Sequence, residues 1–196
     1  METDRPLTVD ERRQLLALAR QSIEHAVCRG ELLKLDPDQL PPRLREPGTC
    51  FVTLTTQSGA LRGCIGGLEA VRPLAEDVIY HAAEAALNDY RFRPVRPHEI
   101  PSLHIEISRL TTPEPLDYQR PEDLPDLLRP ERDGVVLRRG QRRATFLPQV
   151  WEKIPNPCDF LTQLCLKMGC PPDLWQQEKL EVLIYHVESF EEESLN

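Results

Sequence analysis

Chemistry in this chain is most concentrated at Leu61-Arg62-Gly63-Cys64-Ile65-Gly66-Gly67, where a cysteine stands among glycines two residues after an arginine. The thiolate is the reactive form of cysteine, and a guanidinium within reach favours it over the thiol. Residues two apart on a strand share a face and lie roughly 6.6–7 Å apart at Cα, so Arg62 can bring its charge to the Cys64 sulfur. Glycine inside a strand often marks the close approach of a ligand or of another backbone, which gives Gly63 and Gly66 a part in binding. The plain alternative is that the glycines let a second element pack tightly and Cys64 fills space, because free cysteine is among the most buried residue types.

Other residues could join that cysteine. In Leu103-His104-Ile105-Glu106-Ile107-Ser108, His104 and Glu106 fall on the polar side of an alternating segment. With Cys64 they would supply a nucleophile, a base and an orienting group. No spacing fixes that contact, and a half-exposed strand carries such residues in any case. Asp89 and Arg91, in Asp89-Tyr90-Arg91-Phe92, follow a helical segment. There an arginine can satisfy terminal carbonyls and pair with a carboxylate, or Arg91 can bind an anionic ligand while Asp89 holds it in place. Arg138, Arg139, Arg142 and Arg143 flank Gly140 and form either a solvated turn or a docking patch. Cys158, Cys165 and Cys170, with Trp151 and Trp175, read as packing residues.

These residues need elements to position them. Thr8 and Glu11 have capping-box spacing, and Leu15, Leu18, Ala19, Ile23, Ala26 and Val27 recur at helical intervals up to Gly30, which predicts a helix over 8–29. Cys50-Phe-Val-Thr-Leu-Thr-Thr56 and Ala60-Leu-Arg-Gly-Cys-Ile-Gly66 read as a hairpin turning at Ser58-Gly59. A turn centred there pairs Thr55 with Arg62, Leu54 with Gly63, Thr53 with Cys64 and Val52 with Ile65. Val52, Leu54, Leu61 and Ile65 would then face the core, and Thr53, Thr55, Arg62 and Cys64 the polar side. A helix follows from Pro73 to Asn88, and then the alternating strand from Leu103.

The order hairpin, helix, strand recurs after a proline-rich connector, Thr111–Arg132. Gly134–Leu137 and Ala144–Leu147 flank a turn candidate around Gly140, a helix begins near Pro157, and Leu180-Glu-Val-Leu-Ile-Tyr-His-Val187 closes as a strand. The offset is about 84 residues, which predicts two similar halves, 45–110 and 133–190.

Composition sets the bounds. The chain has 196 residues and 40% hydrophobic content, enough for a core. No apolar run is long enough for a membrane span, and the charged start, Met1 to Arg13, is unlike a signal peptide, so a cytoplasmic location is expected. The six cysteines should then stay reduced, and none is spaced as CxxC, so neither disulfides nor structural zinc is expected. A net charge of −8 argues against nonspecific binding to nucleic acid. Twenty arginines against four lysines, with 19 prolines, suggest a GC-rich, bacterial source. No P-loop, dinucleotide fingerprint or zinc-protease motif occurs, and no cofactor is expected.

Four blocks, Leu61–Gly66, Asp89–Phe92, Ala144–Trp151 and Phe160–Gly169, resemble in order the signature blocks of the AMMECR domain family, known in prokaryotes as protein A of the AmmeMemoRadiSam system. The resemblance runs from about residue 10 to 190. It implies an α+β fold: one AMMECR-like domain of two interlocked subdomains, each a hairpin-helix-strand unit, with mainly antiparallel sheets flanked by helices. It also implies a link to a Memo-like protein and a radical SAM enzyme, but no reaction. Cys64 and Glu106 fit the family pattern, His104 less so. Gly67 departs from it where a small hydroxyl residue is common, and Cys170 where an aliphatic residue is usual. Two readings stand: a ligand-binding or reactive-thiol site at Cys64, or a non-enzymatic adaptor that docks a partner or substrate.

Overall fold

The computed structural model describes residues 5–36, 38 and 40–192. Residues 1–4 of the charged start, and Pro37 and Gln39 of the first proline-bearing loop, lie outside them. In chain order the regular elements are α1 (Val9–Arg29), β1 (Pro47–Thr56), β2 (Leu61–Gly66), β3 (Arg72–Pro73), α2 (Leu74–Leu87), β4 (Leu103–Leu110), β5 (Glu114–Pro115), α3 (Leu124–Leu127), β6 (Gly134–Arg139), β7 (Arg142–Phe146), α4 (Pro157–Lys167), α5 (Leu174–Gln177), β8 (Glu181–Tyr185) and β9 (Val187–Glu191). The fold is α+β. Contacts divide the chain into two units, one running to Thr111 and resuming at Glu188, the other Thr112–Val187.

In the first unit α1 starts where its sequence says. The Thr8 side chain accepts from the Glu11 N–H, the Glu11 side chain accepts from the Thr8 N–H, and Gly30 ends the helix at φ 71°. The sheet runs β2-β1-β4-β9, with β3 paired to β1. Leu15, Ala19 and Ile23 of α1, Val78, Ala82 and Ala85 of α2, and Val52, Leu54, Ile105 and Ile107 of the sheet are all essentially buried and form one core. Fully burying a side chain such as Leu or Ile contributes roughly 1.5–3 kcal/mol, so this helix-covered face fixes which way every strand residue points. The opposite face carries the polar alternates.

The second unit holds a sheet ordered β5-β8-β6-β7. Val135, Leu137 and Val182 pack with Phe160, Leu161 and Leu164 of α4, and Trp151 stacks on Phe160 at 3.6 Å between ring centroids. The expected repeat extends to strand pairing. In each unit the first hairpin strand lies between its hairpin partner and the later strand, β2-β1-β4 in one and β7-β6-β8 in the other. The proline-rich connector contains β5 and α3, elements of two and four residues, too short for a periodic signal. The last predicted strand breaks at His186: β8 belongs to the second sheet, and β9 crosses back to the first.

The hairpin departs from the expected register and then returns to it. Its turn has one more residue than expected. Thr56 N–H donates to the Ala60 carbonyl at 2.9 Å, and Gly59 adopts φ 78°, as the αL residue of a three-residue loop does. Thr55 therefore pairs with Leu61, not Arg62, and Leu61 is 42% exposed where a core position was expected. A β-bulge then absorbs Arg62, and Leu54–Gly63, Thr53–Cys64 and Val52–Ile65 pair as expected.

Candidate functional site

Cys64 lies on β2, an edge strand, so hydrogen-bonding groups on its outer side have no neighbouring strand. The segment after α2 supplies substitutes. The Cys64 N–H donates to Asp89 Oδ2 at 2.8 Å, and Arg91 donates to the Cys64 carbonyl at 3.2 Å. Arg91 also holds Asp89 through Nε at 2.9 Å and through its terminal nitrogen at 2.6 Å, and its own backbone N–H donates to Asp89 Oδ1. A carboxylate and a guanidinium thus stand in for the missing strand at one residue. Arg91 beside it, with the N–H groups of Cys64 and Arg91, holds the Asp89 carboxyl well below the usual carboxylate range despite burial. Asp89 in turn raises Arg91.

The side chain of Cys64 is half-buried on the face away from the helices. Thr53 Oγ1 donates to its sulfur at 3.2 Å. Thr53 pairs with Cys64 on one side and with Glu106 on the other, so Cys64, Thr53 and Glu106 form one row across β2, β1 and β4. Cys64 and Glu106 are then two strand spacings apart, roughly 9–10 Å at Cα. Glu106 accepts from Ser108 at 3.2 Å, and Ser108 meets Ser189 at 2.9 Å. His104 is one row further on, opposite Thr55, and its Nε2 bonds Glu191 at 3.1 Å. The strand bearing His104 and Glu106 lies beside β1 rather than β2, so the row sets Thr53, and not an imidazole, next to the thiol.

Arg62 does not follow the expected alternation. At the bulge its guanidinium makes two hydrogen bonds to Glu99, at 3.0 and 3.3 Å, and together with the Arg96 N–H it lowers Glu99. Arg91 is the arginine bonded to Cys64. Gly63 faces α2 so closely that an added Cβ would stand 2.2 Å from the Ala85 carbonyl oxygen. At Gly66 a Cβ would meet the Phe51 ring at 2.3 Å and the Cys50 carbonyl at 2.6 Å. Both glycines serve close packing at the strand that carries Cys64.

The basic cluster at the second hairpin is engaged. Arg138 pairs with Glu181 at 3.2 Å, Arg139 with Glu178 at 2.7 Å, and Arg142 donates to the Gly169 carbonyl. Trp151 donates to the Asp133 carbonyl and Trp175 to Thr162.

A buried polar cluster escaped the sequence reading. Asp77 and His81, one turn apart on α2, meet Cys50 of β1 beneath them. Asp77 Oδ2 accepts from the Cys50 N–H at 3.0 Å and lies 3.0 Å from His81 Nδ1. Burial and the Asp77 carboxylate push the Cys50 thiol well up. The signal was present: Asp and His at i and i+4 share a helix face, and here that face also carries the apolar stripe.

No described helix is long and apolar enough to cross a membrane. The AMMECR1 family model matches residues 16–190. The chain is 40% identical to a protein from Methanothermobacter thermautotrophicus, with 96% of this chain and 97% of that one covered. It is 40% identical to a protein from Thermococcus gammatolerans, with 91% and 89% covered. The crystal structure of uncharacterized protein PH0010 from Pyrococcus horikoshii superposes with a TM-score of 0.76 at 36% identity, over 95% of this chain and 94% of that one. These relatives are archaeal, so the arginine and proline bias carries no support for a bacterial source. With a family match over residues 16–190 and relatives 40% identical over nine-tenths or more of the chain, the chain belongs to the AMMECR1 family.

Proposed function

We propose that this AMMECR1-family chain works as a binding module centred on a presented thiol, with Cys64, Thr53 and Glu106 forming the receiving face of the first unit. The observation that carries this reading is the immobilisation of Cys64. Its N–H, its carbonyl and its sulfur are each held by a side chain, from Asp89, Arg91 and Thr53. A residue that merely fills space needs no such fixing. Because the neighbour of the sulfur is a hydroxyl donor and His104 is bonded to Glu191, the arrangement suits contact with a ligand better than base-assisted acyl transfer. The resemblance names a Memo-like protein and a radical SAM enzyme as the partners to try first.

The test combines mapped alkylation with partner capture. At neutral pH iodoacetamide should modify Cys64 faster than the exposed Cys28 and Cys158. Thr53→Val should slow that reaction about fivefold, the equivalent of one hydrogen bond of roughly 1 kcal/mol. Cys64→Ser should weaken capture of a purified Memo-like protein. Unchanged capture, with Cys64 alkylated no faster than Cys28, would overturn the reading.

A further inference from the structure

We propose that Cys50, Asp77 and His81 form a binding site for a divalent metal ion of the zinc class, built between β1 and α2 and separate from Cys64. Their ligand atoms, one sulfur, one carboxylate oxygen and one imidazole nitrogen, all lie within 4.8 Å of one another. Around a tetrahedral ion with bonds of about 2.0–2.3 Å the ligand atoms stand roughly 3.3–3.8 Å apart, so the three side chains would draw in by up to about 1 Å to close on it. The three residues are 0%, 1% and 7% exposed. Each ligand comes from a regular element: Asp77 and His81 stand one helical turn apart, and Cys50 faces them from the helix-covered side of β1. The site is therefore held by the core itself.

The donor set selects the metal. Thiolate and imidazole favour zinc and its neighbours over magnesium and calcium, which take oxygen ligands. Three protein ligands leave a fourth position, and an independent feature marks the surroundings. Thr49 Oγ1 is buried and has no hydrogen-bond partner. It shares one neighbourhood with the imidazole, since a Cβ on Gly67 would stand 3.0 Å from Thr49 Oγ1 and 3.3 Å from His81 Cε1. A water completing the coordination would have that hydroxyl to bond. Arg72 Nη1 lies 3.8 Å from Asp77 Oδ1, too far for a hydrogen bond, and sets a positive charge beside that carboxylate. A divalent ion would also balance the Asp77 carboxylate together with the thiolate that Cys50 becomes when it gives up its proton on binding.

Cobalt titration of the whole chain, stripped by a chelator, is the test. We expect one Co2+ per chain, with the near-ultraviolet charge-transfer band of a cobalt–thiolate bond, displaced by Zn2+, and a higher unfolding midpoint with Zn2+ bound. Cys64→Ser should leave band and stoichiometry unchanged, which separates this site from the thiol-centred reading. Cys50→Ser should abolish the band, and His81→Gln should weaken binding about tenfold or more. If Cys50→Ser fails to fold, by circular dichroism, the wild-type titration decides. No band in folded wild-type protein, a band that survives in folded Cys50→Ser, or a band lost in Cys64→Ser would each overturn the proposal.

Discussion

Asp89 reaches back from the end of α2 to accept the Cys64 N–H at 2.8 Å, and that bond joins the helix to the sheet edge at the one residue both the motif and the geometry single out. Asp89 is 4% exposed. Removing its carboxylate leaves the Cys64 N–H without an acceptor and the Arg91 guanidinium without its counter-charge. We expect Asp89→Ala to destabilise the chain by about 2–4 kcal/mol in urea unfolding. Asp89→Asn, which keeps one acceptor, should cost less. Because the folded Asp89 carboxyl is held low, its stabilisation is complete above the unfolded value of roughly 3.9 and fades only as pH falls towards the folded one.

Glycine substitutions should separate contact from conformation. At Gly63 a methyl would collide with the backbone oxygen of Ala85 at 2.2 Å, which the helix can relieve only by moving. Gly63→Ala should therefore cost about 3 kcal/mol or more, beyond the usual range for overpacking. At Gly59 nothing lies within 4 Å, but φ is 78°, so Gly59→Ala should cost only about 1–2 kcal/mol from left-handed strain. Equal losses in thermal melts of the two variants would refute the distinction.

The capping box of α1 should shape the acid limb of stability. Glu11 is lowered to about 2, first by the Arg5 side chain, with the Thr8 N–H and hydroxyl adding to it. A depressed carboxylate contributes stability that is fully present above its unfolded value, roughly 4.3, and that is lost as pH falls through the folded value. Between pH values of about 4 and 2 the urea midpoint of Glu11→Gln should fall less steeply than that of wild type, and above about 5 the two curves should run parallel.

How far the sequence reveals the site follows from the range of the interactions. The capping box, the alternation of β4 and the Thr53–Cys64 pairing are encoded within a few residues, so they could be read directly. Arg62 was paired with Cys64 because a strict period of two assumes a regular hairpin, and the three-residue turn with its compensating bulge breaks that period at this residue. Glu99 as the partner of Arg62, and Asp89 as the acceptor for Cys64, lie 37 and 25 residues away, and no local pattern announces such contacts. The cluster of Cys50, Asp77 and His81 stayed hidden for a different reason. Its members fall among core positions, where polar residues are obscured by the apolar stripe around them.

The closure of β2 by Asp89 and Arg91 has a bearing on solubility. An open strand edge is a template on which a second chain can add, and this one is short, glycine-rich and topped by an exposed Leu61. Two side chains block that template at Cys64. Chains that lose them should do more than unfold sooner: they should gather into β-rich assemblies that grow from this edge, so the same contact that fixes Cys64 also keeps neighbouring molecules apart.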